Sequence, residues 1–169
     1  MGRPAALRLS RPGGTFDSNL RQSVNSLPIP QPRSPMLDRP IREIMSTEVH
    51  TAERDELLFE VTSRMARHNI GAVVVTERGE PGGLFSERDL LKRVVYRDIS
   101  PHSCYVGEVM TPKVQAASPE QTVHEVTEAM KLYRHRHLPV MEEGRLVGIV
   151  SMRDLLAAYV EAYEQVTAE

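Results

Sequence analysis

Residues 41–98 align with residues 106–163 without a gap, at a constant offset of 65, and 18 of the 58 aligned pairs are identical. At ordinary composition about three or four identities are expected by chance. The matches fall in blocks. Glu43 and Met45 align with Glu108 and Met110, and Glu60-Val61-Thr62 with Met65 aligns with Glu125-Val126-Thr127 with Met130. Gly79, Gly83 and Ser86-Glu87-Arg88-Asp89-Leu90-Leu91 then align with Gly144, Gly148 and Ser151-Met152-Arg153-Asp154-Leu155-Leu156. Two copies at so long a period indicate a tandem, pseudo-dimeric fold and not a solenoid.

Within each copy the hydrophobic period changes in a fixed order. Leu57, Leu58, Val61 and Met65 recur at helical spacing, as do Val123, Val126, Met130 and Tyr133. Ser118-Pro119-Glu120-Gln121 supplies the second of these helices with an N-cap, a proline at N1 and a capping-box glutamine. The first helix has Glu53 where the second has Ser118, so its start is less well marked. Ala72–Val75 and Leu138–Val140 read as buried strands, with Pro139 implying an edge or a bulge. Gly144 offers a positive φ for a turn, a short strand follows, and a closing helix begins near Arg88 or Arg153. Each copy therefore reads as β-α-β-β-α. One such sheet cannot cover both of its faces, so the two copies are expected to pack together.

The composition excludes several functions. A net charge of −2 leaves no domain-wide basic surplus for nucleic acid, and no apolar run reaches the length of a membrane span. The single cysteine, Cys104, cannot form an intrachain disulfide and points to a reducing compartment. Without cysteine pairs or clustered histidines, no metal site is expected. Met45, Met65, Met110 and Met130 read as core filler. Residues 1–38 carry six prolines and five arginines against two aspartates, and read as a disordered tail. That tail has a surplus of three positive charges, so the rest of the chain carries −5. An Arg-rich, acid-poor leader is also the composition of an organelle transit peptide, the alternative being a plain flexible extension.

The pattern resembles the CBS domain family, the cystathionine-β-synthase-type domains that occur as tandem pairs. The marks are Glu43-Ile44-Met45 and Glu108-Val109-Met110-Thr111-Pro112 at the copy starts, and His135-Arg136-His137-Leu138-Pro139-Val140. The two Gly-x-x-Ser-x-Arg-Asp-Leu-Leu blocks complete it. The resemblance covers about 39–163 and implies an α+β fold, with two pseudo-twofold-related β-α-β-β-α CBS units packed as one Bateman-type module. It divides the chain into a tail (1–38), CBS domain 1 (39–100), a linker (101–105), CBS domain 2 (106–163) and a C-terminal tail (164–169). It further implies two clefts that bind adenosine-containing ligands such as AMP, ADP or ATP, with NAD or S-adenosylmethionine as alternatives, and pairing into homodimers. The final helix, with Leu155, Leu156, Tyr159, Val160 and Tyr163, has an apolar face for such pairing as well as for the core.

Asp89 and Asp154 are the central candidates. A carboxylate at a strand-to-helix turn can accept both hydroxyls of a ribose. Ser86 and Ser151 can hydrogen-bond ribose or phosphate, and Arg88 and Arg153 can add charge-assisted contacts. Ser-x-x-Asp before an apolar run is equally a capping box, so ligand and cap readings both stand. By the resemblance, His135, Arg136 and His137 line a cleft, with Arg136 and His137 as phosphate contacts. Their counterparts Ile70-Gly71-Ala72 are uncharged, which makes the clefts unequal. Ile70 and Gly71 are carried over as ligand-lining by position, and Thr47, Thr111 and Pro112 as the frame of the adenine.

No nucleophile–base pair, carboxylate dyad or phosphate loop suggests an enzyme. The leading expectation is a cytoplasmic regulatory sensor of adenine nucleotides that signals to a partner protein. A ligand-independent dimeric interaction module is the alternative, and a polynucleotide binder acting through the basic tail is a weaker one.

Overall fold

The computed structural model describes residues 35–167. The reading of the tail as disordered therefore lies outside the described residues except at its end. There Pro35–Asp38 forms a 3-10 turn and buries Leu37. A second such turn, Ile41–Glu43, opens the repeat.

The elements follow in two series. The first is β1 (Thr51–Glu53), α1 (Leu58–His68), β2 (Ala72–Glu77), β3 (Glu80–Ser86) and α2 (Glu87–Asp89). Past α2 the chain continues in a wider π-helix, Leu90–Val95. Then come α3 (Val106–Val109), β4 (Thr111–Pro112), α4 (Val123–Tyr133), β5 (His137–Glu142), β6 (Arg145–Ser151) and α5 (Met152–Thr167).

Helix α1 buries Leu58, Val61 and Met65, and α4 buries Val123, Val126 and Met130, one stripe on each helix. Each buried Val or Leu contributes roughly 1.5–3 kcal/mol. Leu57, expected inside α1, is its N-cap and is exposed, because the chain there is still extended. Ser118 does not cap α4. Thr122 does, in a capping box with Glu125, while Ser118 N–H donates to Oε1 of Gln121 in a separate turn before it. A charged carboxylate at N3 complements the helix terminus better than an amide, which favours the later start.

The hairpins β2–β3 and β5–β6 turn through Arg78-Gly79 and Glu143-Gly144, all at positive φ, the two-residue geometry that matches strand twist. Each hairpin carries a register shift at the same repeat position, Val75/Thr76 and Val140/Met141, so Pro139 does lie beside a bulge.

The sheets are not built from single repeats. One has the order β1-β2-β3-β4, with Leu84 of β3 paired to Thr111 of β4, a residue that follows the start of the second repeat. The β5-β6 sheet is extended in the same way, Ser46 pairing with Ile149 and Ala117 with Val140. Adding 65 to Ala52↔Val75 gives Ala117↔Val140, so the register itself repeats. Each repeat thus lends its opening segment to the other. Ile41 lies in a core with Val126, Leu138 and Leu155, whereas Val106 and Met110 lie in a core with Val61, Phe85 and Val94. Ala72, Val74 and Leu84 form a third cluster with Val49, Val114 and Ile149, where the halves meet.

The lent segments pass close to glycine. A Cβ at Gly83 would stand 2.5 Å from the Thr111 carbonyl oxygen, and one at Gly148 would stand 2.6 Å from Met45 Sδ and 3.0 Å from the Ser46 carbonyl oxygen. Only glycine admits backbone at that separation, which accounts for its recurrence at the 65-residue offset. Among the described residues no helix is long and apolar enough to cross a membrane.

Candidate functional site

The exchange leaves two cavities between the halves, each at the strand-to-helix turn of one repeat. One, of about 340 Å³, is walled by Ser86, Arg88, Asp89 and Thr111 on one side and by Arg134–His137 on the other. The second, of about 410 Å³, is walled by Ser151, Arg153, Asp154 and Ser46, facing Asn69–Ala72. Both fall within the range of small-ligand pockets. Gly71, Arg136 and His137 line both, so the cavities adjoin.

The turns are made in the same way. The hydroxyl and backbone N–H of Ser86 donate to Oδ2 of Asp89 at 2.6 and 3.1 Å, and those of Ser151 donate to Oδ2 of Asp154, both at 2.7 Å. Each serine hydroxyl also accepts from the N–H of its aspartate, at 3.4 and 3.3 Å. Both Ser-x-x-Asp sequences are therefore capping boxes, and the cap consumes one carboxylate oxygen of each aspartate.

The second oxygen separates them. Oδ1 of Asp89 accepts from the Thr111 hydroxyl at 2.9 Å and pairs with Arg93 Nε at 3.3 Å. Arg93 also donates to the carbonyls of Val109 and Met110 and to Oγ1 of Thr111, tying the π-helix to the lent segment. At Asp154 none of this occurs: among the described residues nothing donates to its Oδ1. The position that matches Arg93 is Ala158, buried in the core, and the residue that matches Thr111 is Ser46, whose hydroxyl donates to Glu48 O instead. Asp154 keeps an open acceptor on a cavity wall; Asp89 has none.

Charge separates them again. Arg88, Lys92, Arg93, Arg134 and Arg136 line the first cavity with Asp89 as the one carboxylate. Around the second, Arg136 and Arg153 face Glu48, Glu87 and Asp154. Apolar surface is present in both, from Leu84, Val114 and Tyr133 in one and from Ile70, Ala72 and Ile149 in the other.

His137 stands where they meet. A Cβ on Gly71 would lie 3.3 Å from Cε1 and Nε2 of the imidazole and 3.4 Å from Oε2 of Glu87, so the ring rests on Gly71 beside that carboxylate. Burial lowers its pKa below the ordinary histidine value, and the Arg136 guanidinium adds to the effect; Glu87 and Asp154 oppose it. Arg136 and Gly71 carbonyls accept from Met152 and Glu87 N–H at 2.9 and 3.1 Å, tying each helix start to the residue just before the central strand of its own repeat.

Of the residues singled out in the sequence, Ser86, Arg88, Asp89, Thr111 and His135 line the first cavity, Ile70, Ser151, Arg153 and Asp154 the second, and Gly71, Arg136 and His137 both. Thr47 and Pro112 line neither and are exposed. Strand alternation explains this, since the preceding residues Ser46 and Thr111 are the ones that face inward. Lys92, Arg93, Arg134 and Ser46 were not picked out from the sequence. The divergence of Lys92-Arg93 from Ala157-Ala158, directly after the matched Leu90-Leu91 and Leu155-Leu156, is the sequence signal that could have drawn attention to Lys92 and Arg93.

The family model for the CBS domain matches residues 41–96 and again 106–161. The chain is 32% identical over 116 residues to the mitochondrial CBS domain-containing protein CBSX3 of Arabidopsis thaliana, a match that covers 66% of this chain. It spans 56% of the length of that relative. The crystal structure of the CBS-domain containing protein ATU1752 from Agrobacterium tumefaciens superposes with a TM-score of 0.67 at 34% identity, over 72% of this chain and 99% of that one. The CBS domain pair of protein MJ0100, solved with 5′-methylthioadenosine and S-adenosyl-L-methionine, shares the fold with a TM-score of 0.66 at 24% identity, over 73% of this chain and 97% of that one. With two family matches at the repeat offset, on a fold of exchanged halves, the chain belongs to the CBS domain family, as a tandem pair.

Proposed function

We propose that this CBS pair is a regulatory module that senses an adenosine-containing ligand, and that the Asp154 cavity is where the nucleoside is held. The observation that carries this reading is the open Oδ1 of Asp154, on a carboxylate already oriented by Ser151. One oxygen belongs to the cap and the other is free for a ribose hydroxyl, a charge-assisted contact of about 1.5–3 kcal/mol. Ile70, Ala72 and Ile149 give an apolar slot for the base. The ligands named for the MJ0100 pair are of the same chemical class, which supports the choice of adenosine as the common element.

Because the cavity walls come from opposite halves, a ligand there bears on how the halves pack, and it can shift that packing only by its differential affinity for the two arrangements. On this reading the module binds and signals to a partner protein and does not catalyse. Leu91 and Val95, with their repeat counterparts Leu156 and Val160, are exposed at 62%, 62%, 62% and 47% and form the faces through which two copies pair. The working compartment on this reading is the cytoplasm; an organelle, as for the mitochondrial relative, is the alternative offered by the Arg-rich segment 1–38.

The test is calorimetric titration of the full chain with adenosine, AMP, ADP, ATP, NAD and S-adenosylmethionine. Saturable binding shared by the adenosine-containing compounds is expected. Silence across the panel would overturn the reading and leave the ligand-independent interaction module.

A further inference from the structure

The Asp89 cavity is the less suited of the two to a nucleoside, because Thr111 and Arg93 occupy the carboxylate oxygen a ribose would need. It is the better suited to an anion. Of its cationic side chains, Arg93 is taken up by Asp89 and by backbone carbonyls. Lys92 enters no hydrogen bond or ion pair among the described residues, and Arg88 makes a single contact, to the Arg134 carbonyl at 3.3 Å. Arg134 and Arg136 face them from the opposite half. Cations that line one cavity with a single carboxylate, itself paired to Arg93, raise a potential that a multivalent anion relieves.

We infer that the Asp89 cavity is a receptor for condensed phosphate, a di- or triphosphate group, and not a second nucleoside site. Such a group has two sources: a free inorganic polyphosphate, or the tail of a nucleotide whose adenosine lies in the adjoining Asp154 cavity and whose phosphates pass Arg136 and His137. The second source rests on the nucleoside reading given above; the first does not.

The experiment titrates the full chain with adenosine, AMP, ADP, ATP and inorganic tripolyphosphate, in the native sequence and in an Arg88→Gln/Lys92→Gln variant. Both side chains are exposed, so the substitutions leave the fold intact, which circular dichroism verifies. Affinity is expected to climb from AMP to ATP by about tenfold per phosphate, the worth of one charge-assisted hydrogen bond. In the variant the climb flattens while adenosine binding is unchanged, and added salt flattens it similarly. Tripolyphosphate that binds alongside adenosine but competes with ATP identifies a free anion as an occupant; a steep ATP series with tripolyphosphate silent identifies the nucleotide tail. Equal affinity for adenosine and ATP, unmoved by the variant and with tripolyphosphate silent, overturns this inference and leaves the nucleoside reading standing. Failure of adenosine and all its phosphates, with tripolyphosphate still bound and lost in the variant, does the reverse.

Discussion

The two cavities are made by one sequence pattern written twice, and they differ where the copies diverge. Both aspartates cap a helix through the same serine contacts. Yet Asp89 is held by Arg93 and Thr111, whereas Asp154 has Ala158 and Ser46 in the matching places and stays open. Five cationic side chains stand with one carboxylate around the first, two with three around the second. The lesson is that a duplicated motif fixes a scaffold, a turned carboxylate at a helix start, while its chemistry is set by the residues that reach it from other segments.

The largest effect should come from Arg93→Met. It removes the partner of a carboxylate whose side chain is only 12% exposed, and about 3 kcal/mol of stability should be lost in urea denaturation, the cost of stranding a buried charge. Only when Thr111→Val is added should Oδ1 of Asp89 also open, so that the adenosine stoichiometry rises from one toward two per chain. An unchanged denaturation midpoint would show that the pair does not hold the cavity closed.

Gly83→Ala comes next, at about 2–3 kcal/mol, because the new Cβ meets the Thr111 carbonyl oxygen and the Pro112 Cα, backbone that cannot yield without moving the strand. Gly148→Ala should cost less, about 1 kcal/mol, since its nearest neighbour is the end of the flexible Met45 side chain. Thermal melts of the two variants rank them, and the reverse order would contradict the exchanged packing described for the β3 side.

The smallest effect concerns pH. The imidazole of His137 titrates below its ordinary value of 6.5 because of burial and Arg136. The unfolded chain therefore binds a proton more readily than the folded one, so stability is retained above pH 6.5 and falls as acidification carries the folded group through its lowered value. His137→Gln should make the loss of stability between neutral pH and pH 5.5 shallower than in the native protein. An identical slope would mean that the ring is not desolvated between the cavities.

Much of this was legible beforehand. The offset of 65, the helix stripes through Val61 and Val126, and the paired Ser-x-x-Asp turns are local patterns, and each forms the expected element. The exchange of opening segments was not legible, because Ile41 and Val106 carry no mark of which core will bury them; pairing across some 100 residues is decided by tertiary fit. For the same reason the charge of the Asp89 cavity was hidden. Arg134 and Lys92 belong to different repeats, and only the packing brings them to one cavity. Thr47 was carried over in place of Ser46 because a one-residue step along an extended segment moves a side chain to the opposite face.

The most direct test compares Asp154→Asn with Asp89→Asn by calorimetric titration of adenosine. Asparagine keeps an acceptor for the serine N–H, preserving the cap, but turns the second oxygen into a donor. The account expects Asp154→Asn to weaken adenosine by about ten- to a hundredfold, the worth of a charge-assisted hydrogen bond, and Asp89→Asn to leave it unchanged. Equal losses in both variants, or a loss in Asp89→Asn alone, would contradict the division of labour between the cavities.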